Sequence, residues 1–198
     1  MEARKLDTGD CRQIAELHYR AFQSFFLTSL GMKFLRFFYR SIILDLNGVA
    51  IGLFEEGQLL AFAVGTVRQD GFYKRILKKN FLGLGMAALP SLLMAPGKIV
   101  RLTRNLLSHE SSALEIENTA CLLSICVDPA KGSKGYGKQV LREFEKQVFF
   151  QSKKICLTTD AEKNDYVNDF YRANGYLLFN SFYISERKMN LYYKNYEE

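Results

Sequence analysis

Residues 122–141 read LLSICVDPAKGSKGYGKQVL, and this stretch contains the most informative pattern of the chain. Its apolar beginning, 122–127, has the length and composition of a buried strand. Asp128-Pro129 ends that run, and small residues follow up to Gly137 before apolar positions return at helical spacing. The pattern therefore predicts a strand that leads through a glycine-rich loop into a helix.

The glycine-rich loop is a candidate anion site. The first backbone N–H groups of a helix have no partner within it, and the helix dipole favours negative charge there. Gly135 and Gly137 would leave bare backbone for a phosphate, and Lys134 and Lys138 would add positive charge. An ordinary strand-to-helix turn has the same composition. The P-loop pattern GxxxxGK also fits, but Gln139 stands where it needs a hydroxyl for Mg²⁺.

The other segments predict an α/β (α+β) fold, a single domain over residues 1–198. Before the central stretch we expect a strand at 3–7, helices at about 10–22 and 32–44, and a hairpin of strands 49–55 and 58–67. A helical insertion at 72–107 follows, broken at Gly83, Gly85, Pro90 and Pro96-Gly97.

The C-terminal half completes the sheet. We expect strands at 114–127 and 154–159 with the central helix between them, then a helix at 164–173 and an antiparallel pair of strands at 176–186 and 187–193. The order predicts a mixed, mostly antiparallel sheet flanked by helices, with the insertion between the third and fourth strands.

Two segments resemble the GNAT superfamily of acetyltransferases. One is the strand ending in Val127-Asp128-Pro129 with the loop Gly135-Tyr136-Gly137, and the other runs from Asn164 through Tyr171 to Gly175-Tyr176. The resemblance is specific over about residues 122–176 and implies the GNAT fold. It implies an N-acetyltransferase that takes an acetyl group from acetyl-CoA, without a metal, and passes it to a small-molecule primary amine.

The resemblance also implies individual roles. Tyr171 would donate a proton to the leaving thiolate, since a phenol of pKa about 10 and a thiol of about 8.5 are close enough for that transfer. Asn164 would lie near the cofactor. The strand and loop would bind the pantetheine arm and the pyrophosphate through Ile125, Cys126, Val127, Lys131, Ser133, Lys134, Gly135, Tyr136, Gly137 and Lys138.

The general base departs from the family pattern. Several family members have a Glu on the fourth strand where this chain has Cys121. A thiol in an apolar run cannot replace a carboxylate, because burial should raise its pKa. Glu117 is our first candidate for the catalytic base, ahead of Glu115, His109 and a water molecule.

The acceptor is expected between the first two helices and the central strands. Phe25, Phe26 and Thr28 lie in the loop that joins those helices and are our candidate substrate-binding residues. An aromatic wall suits a sugar ring or an apolar chain, so an aminosugar or another small or membrane-associated amine fits. A hydrophobic contact that merely joins the two helices has the same sequence signal.

The positive charge is concentrated in the insertion. Eight Lys and Arg residues stand against Asp70 between positions 68 and 104, so this segment carries +7 and the rest of the chain −1. We favour cap helices with a solvated basic rim; an interfacial hairpin touching anionic lipid is the alternative. Residues 81–95 are shorter than the roughly 20 residues of a membrane span.

Cysteine spacing and the N-terminus predict a cytoplasmic location, with peripheral contact at the inner membrane surface as an extension. The four cysteines have no metal-binding spacing, and the first residues lack an apolar signal region. Two other functional classes remain open. One is a non-catalytic acyl-CoA-binding module, and the other is a basic nucleic-acid-binding protein, which the missing recognition motifs disfavour. The sequence does not specify an oligomeric state.

Overall fold

A computed structural model of the chain describes residues 1–94, 119–132, 134–184 and 186–196. Seven strands form one sheet in the spatial order β1-β2-β3-β4-β5-β7-β6. The strands are β1 (Glu2–Lys5), β2 (Gly48–Glu55), β3 (Gln58–Thr66), β4 (Ala120–Val127), β5 (Lys154–Asp160), β6 (Leu177–Ile184) and β7 (Arg187–Asn195). The helices are α1 (Cys11–Ala21), α2 (Met32–Ile43), α3 (Phe72–Met94), α4 (Tyr136–Phe149) and α5 (Asp165–Ala173).

The sheet is mixed, as predicted. Neighbouring strands pair antiparallel except β4 and β5, which run parallel. The predicted β2–β3 hairpin is confirmed, with positive φ angles of 51° at Glu56 and 77° at Gly57 in its two-residue turn. Residues 114–118, where we expected β4 to begin, lie outside the described residues.

Helices cover both faces of the sheet. On one face α1, α2 and α3 form a core with β2, β3 and β4, in which Leu17, Leu35 and Phe62 are almost fully buried. On the other face α4 and α5 pack over residues such as Leu53 and Leu157. Because the central strands are covered on both sides, their sequences are continuous apolar runs instead of alternating patterns.

The insertion contains one long helix where the sequence predicted broken ones. Helix α3 continues through Gly83, Gly85 and Pro90, so the predicted breaks at these residues are wrong. Pro96-Gly97 lies outside the described residues. Gly83 packs α3 closely on α2, since a Cβ there would lie 3.0 Å from the ring of Phe37. Burial of apolar residues in that contact offsets the helix-breaking cost of about 1 kcal/mol per glycine.

Helix α3 has 23 residues, a length that would span a membrane if the helix were apolar throughout. Within the part of the chain that the structure describes, no helix combines the length and the apolar character needed to cross a bilayer. Helix α3 packs on α2 and on the turn at Thr28–Leu30, as a cap on the α1–α2 layer would.

Candidate active site

A wedge opens between β4 and β5. The two strands pair only at their beginnings, Ala120 with Ile155 and Cys121 with Cys156, as far as the described residues show. Beyond that point β4 follows β3 and β5 follows β7, so the two strands diverge. An extended chain with amide groups can bind along such a free strand edge by main-chain hydrogen bonds.

A β-bulge lies in β4 where the wedge opens. Gly65 of β3 pairs with Leu122 and Val64 pairs with Ser124, so Leu123 is the extra residue. Only glycine fits at position 65, because a Cβ there would lie 2.1 Å from the carbonyl oxygen of Cys121. A bulged residue leaves the regular ladder, and its N–H becomes a candidate donor to a carbonyl in the wedge. A glycine inside an apolar strand was the sequence signal for this bulge.

The glycine-rich loop brings the start of α4 beside the wedge. Gly135 is the N-cap residue, with a φ of 78°, and a Cβ at this position would meet no atom within 4 Å. The first intrahelical bond runs from the Gln139 N–H to the Gly135 carbonyl, 3.0 Å, so the N–H groups before it point out of the helix. Lys134 and Lys138 are exposed nearby. This open space with its donors fits a pyrophosphate.

Gly137 has different surroundings from Gly135. A Cβ at Gly137 would lie 3.5 Å from Val127 and from Phe170, at ordinary contact distance, so it would face protein and not the open space. The backbone contact of Gly137 with a phosphate stays a prediction.

The other predicted cofactor-binding residues differ in whether their side chains are exposed. Ile125 and Val127 are partly exposed on β4, whereas Cys126 is buried in the core on the α1 side. The side chain of Tyr136 is also buried, so Cys126 and Tyr136 can offer only backbone groups. Lys131 lies 3.7 Å from Glu55; Ser133 is outside the described residues.

Tyr171 lies near the closed end of the wedge. Its ring packs against Phe170, Tyr176 and Tyr192, with centroid distances of 5.4, 5.6 and 6.2 Å. Within the described part of the chain no residue hydrogen-bonds its hydroxyl group, and 6% of the residue remains exposed. Burial, together with the nearby Cys121, raises the pKa of Tyr171. The phenol therefore keeps its proton at neutral pH, but it gives that proton to a thiolate less readily than an exposed phenol would.

Asn164 joins α5 to the end of β5. Its Nδ2 donates to Thr159 Oγ1 at 2.9 Å and to the Asp160 carbonyl at 3.1 Å. Asn168, one turn further on, donates to the same carbonyl at 2.9 Å. These bonds fix the start of α5 and hence the place of Tyr171. The cofactor contact of Asn164 stays a prediction.

Cys121 is unsuited to act as a base. A hydrogen bond with Cys156 and burial raise the pKa of Cys121 well above its ordinary value, so it remains a thiol. Cys156 in turn donates to Gln69 Oε1 at 2.9 Å. The candidate bases Glu117, Glu115 and His109 lie outside the described residues. Among the residues that are described, no cluster of His, Cys, Asp and Glu could hold a metal ion.

The three predicted acceptor residues of the α1–α2 loop differ in exposure. Phe25 is 46% exposed and lies 4.9 Å from Phe22 between ring centroids. Phe26 packs against the α1–α2 core. Thr28 is buried, and its hydroxyl donates to the Phe22 carbonyl. Thr28 therefore holds the loop, and Phe25 is the most exposed of the three, whereas Phe26 is partly exposed.

A buried polar chain that sequence analysis missed links this loop to β4. His18 Nδ1 lies 2.6 Å from Tyr39 Oη, which lies 3.2 Å from Ser124 Oγ. Phe22 contacts the His18 ring at 4.8 Å between centroids. The available signal was a polar residue on the apolar face of each of three separate elements.

His18 makes folding sensitive to acid. Burial lowers the pKa of His18 from 6.5 to about 4, so the unfolded chain binds this proton at higher pH than the folded chain. The stability tied to a neutral His18 is complete above pH 6.5 and is lost as pH falls towards 4; the pKa difference corresponds to about 3 kcal/mol.

The replacement His18→Gln should flatten this acid dependence, because glutamine does not titrate. Urea unfolding between pH 7.5 and 4.5 measures it, with the parent protein losing more free energy of unfolding than the variant over that range. Equal slopes in the two proteins would contradict the prediction.

Comparison with known proteins agrees with the fold described above. A family model described as the Acetyltransferase (GNAT) family matches residues 12–176. The PaiA N-acetyltransferase from Thermoplasma acidophilum, solved with coenzyme A, is 16% identical over 98% of both chains, with a TM-score of 0.61. The Escherichia coli ribosomal-protein-S18-alanine N-acetyltransferase is 13% identical over 98% of this chain and 92% of that one, with a TM-score of 0.61.

A third solved structure agrees. A GNAT-family acetyltransferase from Bacillus cereus ATCC 10987 is 13% identical over 100% of this chain and 98% of that one, with a TM-score of 0.58. At such identities the likeness to each structure is one of fold. A search of curated proteins by sequence finds no match.

Proposed function

The chain belongs to the GNAT acetyltransferase family, and we propose that it transfers the acetyl group of acetyl-CoA to a primary amine that enters from the α1–α2 face. Acetyl-CoA supplies the acyl group as a thioester. The observation behind the proposal is the divergence of β4 from β5 beside the start of α4. Tyr171, with a hydroxyl group that no described residue binds, lies near the closed end of the same wedge.

Different residues of the wedge bind the cofactor, polarise the thioester carbonyl and donate the proton. The free edge of β4 binds the extended pantetheine arm, and the first N–H groups of α4 with Lys134 and Lys138 bind the pyrophosphate. The bulge at Leu123 donates to the thioester carbonyl. Tyr171 gives its proton to the leaving sulfur. The new N–C bond replaces the C–S bond, the amine loses one proton to solvent, and Tyr171 regains one, so the products are an amide and the coenzyme A thiol.

We propose that the free-base form of the amine is the one that attacks the thioester. Cys121 stays a thiol, and Glu117 remains the first candidate base. An amine with a pKa near 8, such as an α-amino group, has enough free base at pH 7 to react without a dedicated base. The exposed ring of Phe25 suits the face of an aminosugar or an apolar chain next to the amine.

Release of the coenzyme A thiol tests the proposal. The protein is mixed with acetyl-CoA and, in turn, glucosamine, a tripeptide with a free amino terminus, and a primary alkylamine. We expect thiol release above the amine-free control with at least one of these acceptors. Tight calorimetric binding of coenzyme A with no release for any amine would instead favour the non-catalytic acyl-CoA-binding module.

We further propose that the exposed lysines of α3 draw the enzyme to anionic membranes at the cytoplasmic surface. Lys74, Lys78 and Lys79 are exposed on this helix. Arg75 instead turns towards the buried Asp45, with 3.7 Å between Nε and Oδ2. Juxtamembrane lysines contribute about 1 kcal/mol each to binding an anionic surface.

Changing Lys74, Lys78 and Lys79 together to Gln should therefore release the protein from phosphatidylserine vesicles and flatten the salt dependence of its binding. Co-sedimentation at several salt concentrations measures both. The matched control changes two exposed lysines elsewhere, Lys33 and Lys153, to Gln. If the triple variant and the control sediment like the parent, α3 has only a solvated basic surface.

A further inference from the structure

Three polar side chains beside the wedge have no part in the proposed transfer. His18 of α1, Tyr39 of α2 and Ser124 of β4 form the hydrogen-bonded chain described above. His18 is 3% exposed and Tyr39 is fully buried. Ser124 is partly exposed, its hydroxyl lies on the α1–α2 face of the sheet where it meets Tyr39, and it directly follows the bulged Leu123. The hydrogen bonds therefore connect the buried His18 to Ser124, which is next to the bulge where we propose that the thioester carbonyl binds.

We propose that the Ser124 hydroxyl positions the attacking nitrogen, by accepting a hydrogen bond from the amine N–H and turning the nitrogen lone pair towards the acyl carbon. Ser124 would contact the substrate, whereas Tyr39 and His18 act through it as positioning residues. The inference rests on the proposed acetyl transfer to an amine and names the residue that orients the acceptor.

The oxygen of Ser124 can accept this bond in either arrangement of the chain. A phenol has one hydrogen, which Tyr39 gives either to His18 or to Ser124. In the first case Ser124 donates to Tyr39 and keeps both lone pairs; in the second it accepts from Tyr39 and keeps one. One lone pair of Ser124 is therefore available to a substrate in both arrangements.

The hydrogen-bonded residues His18, Tyr39 and Ser124 are uncharged at neutral pH, which suits an attacking amine. Burial lowers the pKa of His18 to about 4, so its ring is neutral and does not repel a nitrogen that gains positive charge. The bond from that nitrogen to Ser124 strengthens as the charge develops, because charge-assisted hydrogen bonds are the stronger ones. Such an interaction favours the transition state over the bound substrate.

Tyr39 and His18 support Ser124 from a tightly packed core, and burying His18 costs free energy of folding. The Tyr39 ring packs edge-on against Phe38 and Phe62 at centroid distances of 5.5 and 5.4 Å. His18 Nε2 is buried with no hydrogen-bond partner among the described residues, an arrangement that costs about 1–3 kcal/mol. An apolar residue at position 18 would avoid that cost, which points to a use for the imidazole beyond packing.

Hydroxylamine, a small amine that needs no acceptor pocket, is the probe for the test. The parent, Ser124→Ala, Ser124→Thr and Tyr39→Phe are compared for thiol release from acetyl-CoA, with coenzyme A affinity measured by calorimetry. Ser41→Ala is the control, because Ser41 is also a buried hydroxyl of α2 but donates only to the Phe37 carbonyl, at 2.8 Å.

We expect Ser124→Ala to lower kcat roughly 10- to 100-fold, the value of one hydrogen bond to a developing charge. The KM of Ser124→Ala for acetyl-CoA should stay unchanged, and Ser124→Thr should restore most of kcat. The kcat of Tyr39→Phe should lie between those of the parent and Ser124→Ala. Unchanged kcat in Ser124→Ala, no rescue by Thr, or an equal fall in coenzyme A affinity would overturn the inference. A parent that releases no thiol above the enzyme-free control with any of the amines would remove the proposed function as well.

Discussion

Replacing Tyr171 by Phe is expected to lower kcat by roughly 10²- to 10⁴-fold, the usual contribution of a positioned general acid. The substitution removes the phenolic proton but keeps the ring that packs against Phe170, Tyr176 and Tyr192. Affinity for coenzyme A should therefore stay nearly constant. Steady-state thiol release and calorimetry separate the two quantities.

Tyr176→Phe is the matched control for this experiment. The two rings are 5.6 Å apart, but the Tyr176 hydroxyl is fully buried, and its pKa is raised by that burial and by the nearby Glu145. Its removal should leave turnover close to that of the parent. Full turnover in Tyr171→Phe would make Tyr171 a packing residue.

The pH dependence gives a second check on Tyr171. Burial raises the pKa of Tyr171, so the phenol stays protonated to a higher pH than an exposed tyrosine, whose pKa is about 10. The parent enzyme should therefore show no loss of kcat from this group below about pH 10. An alkaline decline near pH 8 that is absent from Tyr171→Phe would contradict the sign of this shift.

Replacing Gly135 by Asp is expected to weaken coenzyme A binding by about 100-fold or more, because a carboxylate at the helix start would occupy the anion site and repel the pyrophosphate. A Cβ at Gly135 meets no protein atom within 4 Å, so the side chain would extend into that open space. Calorimetric titration with coenzyme A measures the loss.

Gly57→Asp is the control for backbone strain. Gly57 has a φ of 77°, against 78° for Gly135, and a Cβ there also meets nothing within 4 Å. Both variants therefore bear the same cost of a left-handed Asp, about 1–2 kcal/mol at most. Thermal unfolding should match between them, while only Gly135→Asp loses coenzyme A. Equal cofactor affinity in the two would remove the loop from the site.

Local chemistry explains what could be predicted. The turn at Glu56-Gly57, the Gly135 cap and the end of α5 at Asn174-Gly175 each depend on backbone angles or donors within a few residues. Such features are set by the amino acids themselves. The GNAT resemblance, confirmed by the family match over 12–176, rests on the same kind of short, local pattern.

The wrong prediction of breaks in α3 arose because residues distant in sequence pack together. Gly85 and Pro90 are poor helix formers, yet α3 continues through them because its other face is buried on α2. The sequence also did not show that Thr28 is buried with its hydroxyl bonded to the Phe22 carbonyl.

The order of the strands and helices could be derived from the sequence alone, because it follows from local periodicity and turn residues. The phosphate loop and the acid role of Tyr171 are predictions that rest on the resemblance to the GNAT family. The three-dimensional packing was needed to show that β4 leaves β5 after Cys121, that Gly65 admits the bulge and that Ser124 meets Tyr39. Tyr39 lies 21 positions from His18 and 85 from Ser124. Contacts over such separations depend on how whole layers pack, and no local propensity encodes them.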